Sequence, residues 1–191
     1  IQWRFVRRLL KPSGLEAARN FVNQPSLERL ELLMSNVRLP LMSERGGLRE
    51  YDFQHAVAAA LLYYSPVRPH VEHAPVGDGN TKKRMDVKIE MDDKVIILEC
   101  KTEDPIDLTK FPTKDSRVKH DTHVDAEIQV WDRYAKFYHE RYATLEVNQR
   151  KEVFAFAATL FDNVELPIVS QVSKAPPPKK KSASGLAKDA Q

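Results

Sequence analysis

Two apolar runs joined by two aspartates, "RMDVKIEMDDKVIILECK" (84–101), constrain this chain more than any other segment. Residues 84–91 and 94–101 read as strands, and Asp92-Asp93 is short enough to join only an antiparallel pair. The second run, Val95 to Leu98, ends in Glu99-Cys100-Lys101, two ionised side chains around the chain's only cysteine. With a two-residue turn, paired positions sum to 185, so that Met91 faces Lys94, Glu90 faces Val95 and Asp86 faces Glu99. The Cβ atoms of such a pair lie about 4.5–5.5 Å apart. Lys101 shares that face, because side chains two apart point the same way, and Arg84 falls opposite it. Facing carboxylates destabilise a strand pair. A divalent cation with oxygen ligands is the most direct compensation. A three-residue turn would put the two carboxylates on opposite faces, so the inference hangs on the turn.

A chain of 191 residues suits one domain, or one domain with an extension. Apolar residues make up 42% and charged residues 30%, an ordinary balance for a water-exposed fold. No window approaches the roughly eighteen apolar residues of a membrane span. The start, "IQWRFVRRLL", has neither a methionine nor a small-residue cleavage site, and is expected to be cut from a longer chain. One cysteine excludes an internal disulfide and fits an intracellular, reducing setting. The net charge of +3 divides unevenly: residues 171–191 carry five lysines and one aspartate, leaving 25 basic and 26 acidic side chains elsewhere. Any polyanion-binding surface on the body must therefore be a local patch. The tail, "QVSKAPPPKKKSASGLAKDAQ", has little to bury and is expected to be disordered. Its "PPPKKK" is compatible with a nuclear address, but a solvated linker to a next domain is the favoured reading.

Periodicity divides the remainder. "SGLEAARNFVN" and "PSLERLELLMSNV" read as two short helices, and "GGLREYDFQHAVAAALLYY" as a longer one. "RPHVEHAPV", flanked by prolines, reads as an edge strand. Residues 102–123 show no period and read as a long loop. Val124, Ile128, Trp131, Ala135, Tyr138 and Tyr142 alternate at spacings of four and three, which predicts a helix. "KEVFAFAATLF" closes the core as a strand. The strand–helix–strand crossover predicts that the third and fourth strands run parallel. On the longer helix, Glu50 falls within the apolar stripe of Phe53, Val57, Ala60, Leu61 and Tyr64, where a carboxylate needs a partner. A place in the first turn, favoured by the helix dipole and exposed to water, accounts for it as well.

An aspartate opening one strand and Glu-x-Lys closing the next resembles the PD-(D/E)XK nuclease superfamily. The resemblance covers residues 48–161, with "MD" at 85–86 in place of "PD" and "ECK" at 99–101 in place of "(D/E)XK". Segments such as "GDGNTKKRMDVKI" and "VIILECKTED" also look like nuclease modules fused to AAA-type ATPases and to Crinkler-type effectors. The resemblance implies an α/β, restriction-endonuclease-like core of helix, three strands, helix and strand, a mixed four-stranded sheet flanked by helices. It implies that Asp86, Glu99 and the Cys100 carbonyl bind Mg²⁺, or Mn²⁺ in its place. Lys101 would then orient the attacking water, and Glu50 would add a ligand or a base. Gln129 resembles a polar helix residue found near many such sites, although an exposed helix glutamine is the stronger explanation.

Other candidates carry less. The Cys100 side chain alternates away from Glu99 and reads as a small core residue. His70, His73, His120 and His123 have no cysteine partners at zinc spacing. "GDGNT" lacks the lysine of a phosphate-binding loop. The long loop offers Lys110, Lys114, Arg117 and Lys119 but also five acids, so "TKKR" at 81–84 is the better basic patch. The expected organisation is a helical extension (1–47), a nuclease-like domain (48–170) and a basic tail (171–191). The expected activity is Mg²⁺-dependent hydrolysis of nucleic acid, DNA first, beside a fused or partner NTPase and with no membrane partner. The alternative is a catalytically silent module binding nucleic acid or protein.

Overall fold

The Asp92-Asp93 link closes as a two-residue hairpin, with the Met91 N–H donating to the Lys94 carbonyl at 2.8 Å. In this computed structural model, which describes Lys11 and residues 13–37, 50–62, 70–73 and 85–174, the hairpin strands are β2 (Met85–Glu90) and β3 (Lys94–Glu103). Val87 pairs with Leu98 and Glu90 with Val95, which is the register read from the sequence. β1 (His70–His73) flanks β2 as an antiparallel edge strand, and β4 (Glu152–Phe161) runs parallel to β3, both as expected. The sheet is mixed and the class is α/β. A fifth strand, β5 (Ile168–Gln171), adds to the four expected ones, antiparallel to β4, in the order β1-β2-β3-β4-β5. Chain past the expected boundary at 170 belongs to the sheet, since the Val172 N–H donates to the Ala155 carbonyl at 2.8 Å.

Three helices cover one face of this sheet: α1 (Gly14–Asn23), α2 (Leu27–Asn36) and α3 (Glu50–Leu62). Ser26 caps α2 by accepting from the Arg29 N–H at 3.3 Å, as its position after Pro25 suggests. Phe21, Leu30, Leu33, Phe53, Val57 and Leu61 join Val87, Ile89, Ile96, Leu98 and Phe156 in one core. The two N-terminal helices expected as an extension are thus built into the same core as the sheet, with Phe21 edge-on to Phe156 at 5.3 Å.

The opposite face is covered by one long helical run. It comprises α5 (Asp121–Val130), a π turn (Trp131–Ala135) and α6 (Lys136–Ala143). Because both faces are covered, β3 buries Val95 through Cys100 without interruption. The segment expected as a loop over 102–123 is more ordered than its sequence suggests. β3 continues to Glu103, a short helix α4 (Lys114–Arg117) is capped reciprocally by Thr113 and Ser116, and α5 begins at Asp121.

The expected stripe on this run is correct only in its C-terminal half. Ala135, Tyr138 and Tyr142 are buried, but upstream the buried positions are His123, Ala126, Val130 and Tyr134. Val124, Ile128 and Trp131 are half-buried. A π turn carries one residue more than an α turn and so shifts every upstream side chain by one position. Among the described residues no helix is long and apolar enough to cross a membrane.

Candidate active site

On β2, residues 86, 88 and 90 point toward the α5–α6 run, and on β3 so do 95, 97, 99 and 101; Val95 and Ile97 pack there against Val130, Tyr134 and Tyr138. Extending the hairpin register by one pair places Asp86 opposite Glu99. Both are buried, Asp86 to 7% exposure and Glu99 to 0%. Lys101 lies one alternation further along β3, its side chain 21% exposed and its Nζ 3.4 Å from Glu99 Oε1. Asp86 Oδ2 accepts the Cys100 N–H at 2.7 Å, so the carboxylate is fastened to the neighbouring strand by its main chain. The Cys100 side chain faces the α1–α3 core, as alternation predicts. The structure therefore brings Asp86, Glu99 and Lys101 together on one face, with Cys100 present through its backbone.

Glu50 is the first residue of α3. Its helix packs on the sheet face opposite to the carboxylate pair, and its side chain lies outside the described residues. Arg84, the "TKKR" patch and Tyr64 lie outside them too.

Two helix residues complete the surroundings. Tyr134, fully buried in the π turn, has its hydroxyl pushed well above the ordinary tyrosine range. Burial is the largest cause, followed by the negative charges of Glu99 and then Asp86, so the phenol is a neutral group beside both carboxylates. Gln129 is half-buried and hydrogen-bonds to Tyr134, which makes it part of this layer. Sequence reading missed Tyr134 because a 3.6-residue period leaves it off the stripe.

It also missed the polar row beside the pair. Lys88, only 4% exposed, reaches Glu90 Oε2 at 2.8 Å and lies 6.0 Å from the Tyr138 ring centre. Lys151 reaches Glu90 Oε1 at 3.0 Å. Burial alone would raise the Glu90 carboxyl, but hydrogen bonds and charge from Lys88 and Lys151 outweigh it and hold it at about 2. Alternation from Asp86 was the available signal, since 86, 88 and 90 share a face.

His123, expected in a loop, sits in the core. It is fully buried, with Nδ1 3.0 Å from Thr159 Oγ1 and Nε2 3.0 Å from Ser170 Oγ. Burial, and then the nearby His120, lower it to about 4, so the ring is neutral at pH 7. Thr159 pairs with Lys101 across β3 and β4. A polar row thus crosses the sheet from His123 to Asp86.

The donor set suits a hard divalent cation in kind, with two carboxylates at adjoining positions and main-chain oxygen beside them. Among the described residues, no group of three or more His, Cys, Asp or Glu side chains is gathered as ligands. The chain matches no protein-family model, no curated protein and no solved structure.

Proposed function

We propose that the domain is a metal-dependent phosphodiester hydrolase of the PD-(D/E)XK type, with a restriction-endonuclease-like core, acting on DNA. The observation that carries this reading is the placement of Asp86 and Glu99 on one sheet face with the Lys101 ammonium 3.4 Å from Glu99. Asp86, Glu99 and the Cys100 carbonyl would hold Mg²⁺, or Mn²⁺. When bound, the ion supplies Lewis-acid polarisation of the phosphate and a more acidic water. The Cys100 N–H fixes the Asp86 carboxylate, so its orientation needs no rearrangement on binding. Lys101, the most exposed of the three, donates hydrogen bonds that orient the attacking water and stabilise charge growing on the phosphate oxygens. The buried neighbours lower the local dielectric and strengthen these interactions.

Burial of the pair favours a second reading, a silent nuclease-fold module that binds nucleic acid or a protein partner beside an NTPase domain. Cleavage of plasmid and single-stranded DNA with Mg²⁺, by wild type and by Lys101→Ala, separates the two. The hydrolase reading predicts cutting by wild type and none by the variant. Binding of DNA without cutting by either protein favours the silent module.

A further inference from the structure

The helical run over the carboxylates has two phases in which it can meet the sheet. Wound at 3.6 residues per turn throughout, it offers Val124, Ile128, Trp131, Ala135, Tyr138 and Tyr142, a stripe with no ionisable group outside its tyrosines. The observed phase instead seats His123, Ala126, Val130 and Tyr134, because Trp131–Ala135 wind as a π turn. The phases coincide from Ala135 onward. Upstream they differ by one residue, about 100° of rotation and 1.5 Å of rise. Val124, Ile128 and Trp131 are half-buried, so the unused stripe already lies at the rim of the sheet.

Polar contacts hold the observed phase. His123 is latched to Thr159 on β4 and Ser170 on β5, each at 3.0 Å, and Gln129 is bonded to Tyr134. Trp131 stacks on His139 on the flank of the helix, with ring centres 5.6 Å apart. π turns are rare and concentrate at functional sites.

We propose that the π turn is a register switch controlling access to the carboxylate pair. In the observed seat, Tyr134 is fully buried with Val95 and Ile97 in the layer over the sheet face that carries Glu99 and Asp86. In the second seat the turn winds to α, Val124, Ile128 and Trp131 take the sheet, and Tyr134 rotates away to admit a cation and a phosphate. The gating role rests on the hydrolase reading; the second seat does not.

Tryptophan fluorescence tests this, because Trp3→Phe leaves Trp131 as the sole tryptophan. In that background, His123→Ala removes the latch and Ser170→Ala removes one of its two bonds. Both should shift Trp131 emission to the blue and reduce acrylamide quenching, His123→Ala the more. Deleting Asp132 removes the inserted residue, so the run can wind as α with His123, Ala126 and Val130 still on the sheet; it should keep the wild-type emission with a cooperative melt. Unchanged emission in whichever latch variants still melt cooperatively, or a full blue shift in the Asp132 deletion, would overturn the switch. A blue shift in proteins whose DNA cleavage equals wild type would overturn the gating role alone. Absence of cleavage in every protein, with the emission shifts present, would count against the hydrolase reading and leave the switch standing.

Discussion

The side chain of Asp86 takes the place of a main-chain acceptor for Cys100, with Oδ2 2.7 Å from the Cys100 nitrogen. The bond joins β2 and β3 at the open end of their ladder, just beyond the Val87–Leu98 pair. One carboxylate therefore serves the fold and the proposed site together.

This dual role separates two substitutions. Asp86→Ala takes the acceptor from a buried N–H and should cost about 1–3 kcal/mol. Asp86→Asn can still present a carbonyl oxygen to Cys100 while removing one of two adjoining negative charges. It should be at least as stable as wild type without metal. Urea melts in the presence of chelator rank the three proteins, and an Asn variant weaker than the Ala variant would discredit the bond.

His123 makes stability depend on pH in a defined window. Its folded value, about 4, lies below the ordinary 6.5, so the unfolded chain binds the proton more tightly. The contribution is complete above about 6.5 and is lost progressively as pH falls toward 4. Between pH 7 and pH 5 the loss should be about 2 kcal/mol. Glu90, held at about 2 against a usual 4.5, acts with the same sign in a lower window, losing its share only as pH falls below 4.5. Urea midpoints at pH 7 and pH 5 for wild type and His123→Asn check the assignment. An equal drop in both proteins would place the sensitivity elsewhere.

The hairpin register was legible because a two-residue link leaves one pairing, and a one-residue slip would turn Val87 and Ile89 to the wrong face. β5 was not, since "IVSQ" is too short to show alternation. Tyr134 was hidden because a π turn has no signature in hydrophobic periodicity, while the same periodicity read Tyr138 and Tyr142 correctly. His123 gave no signal of burial, because its partners Thr159 and Ser170 come from distant strands. The ordered part of the 102–123 segment rests on tertiary contacts: Ile106 and Phe111 pack with Phe161 and Ile168, and His120 sits edge-on to both Phe111 and Phe161. The carboxylate pair and Lys101 were readable because alternation puts Glu99 and Lys101 on one face and the two-residue turn brings Asp86 opposite Glu99.

Truncation after Lys174 leaves Val172 in place and removes four lysines and one aspartate, a net +3. Affinity for DNA at low salt should fall, and its dependence on salt should flatten, because fewer counterions are released. Filter binding across a salt series reads both. Cleavage at saturating DNA should be unchanged, and its loss would place residues 175–191 in the active fold.

The account stands on Asp86 and Glu99 being one cation seat, and thermal melts with Mg²⁺ and with chelator test that directly. Binding to the folded state alone adds about 2.7 kcal/mol at a hundredfold excess over Kd. At about 2–4 °C per kcal/mol, wild type should gain roughly 5–10 °C. Asp86→Asn should lose most of that gain while melting no lower than wild type in chelator. Equal Mg²⁺ shifts in the two proteins, or no shift in wild type at any Mg²⁺ concentration, would contradict the account.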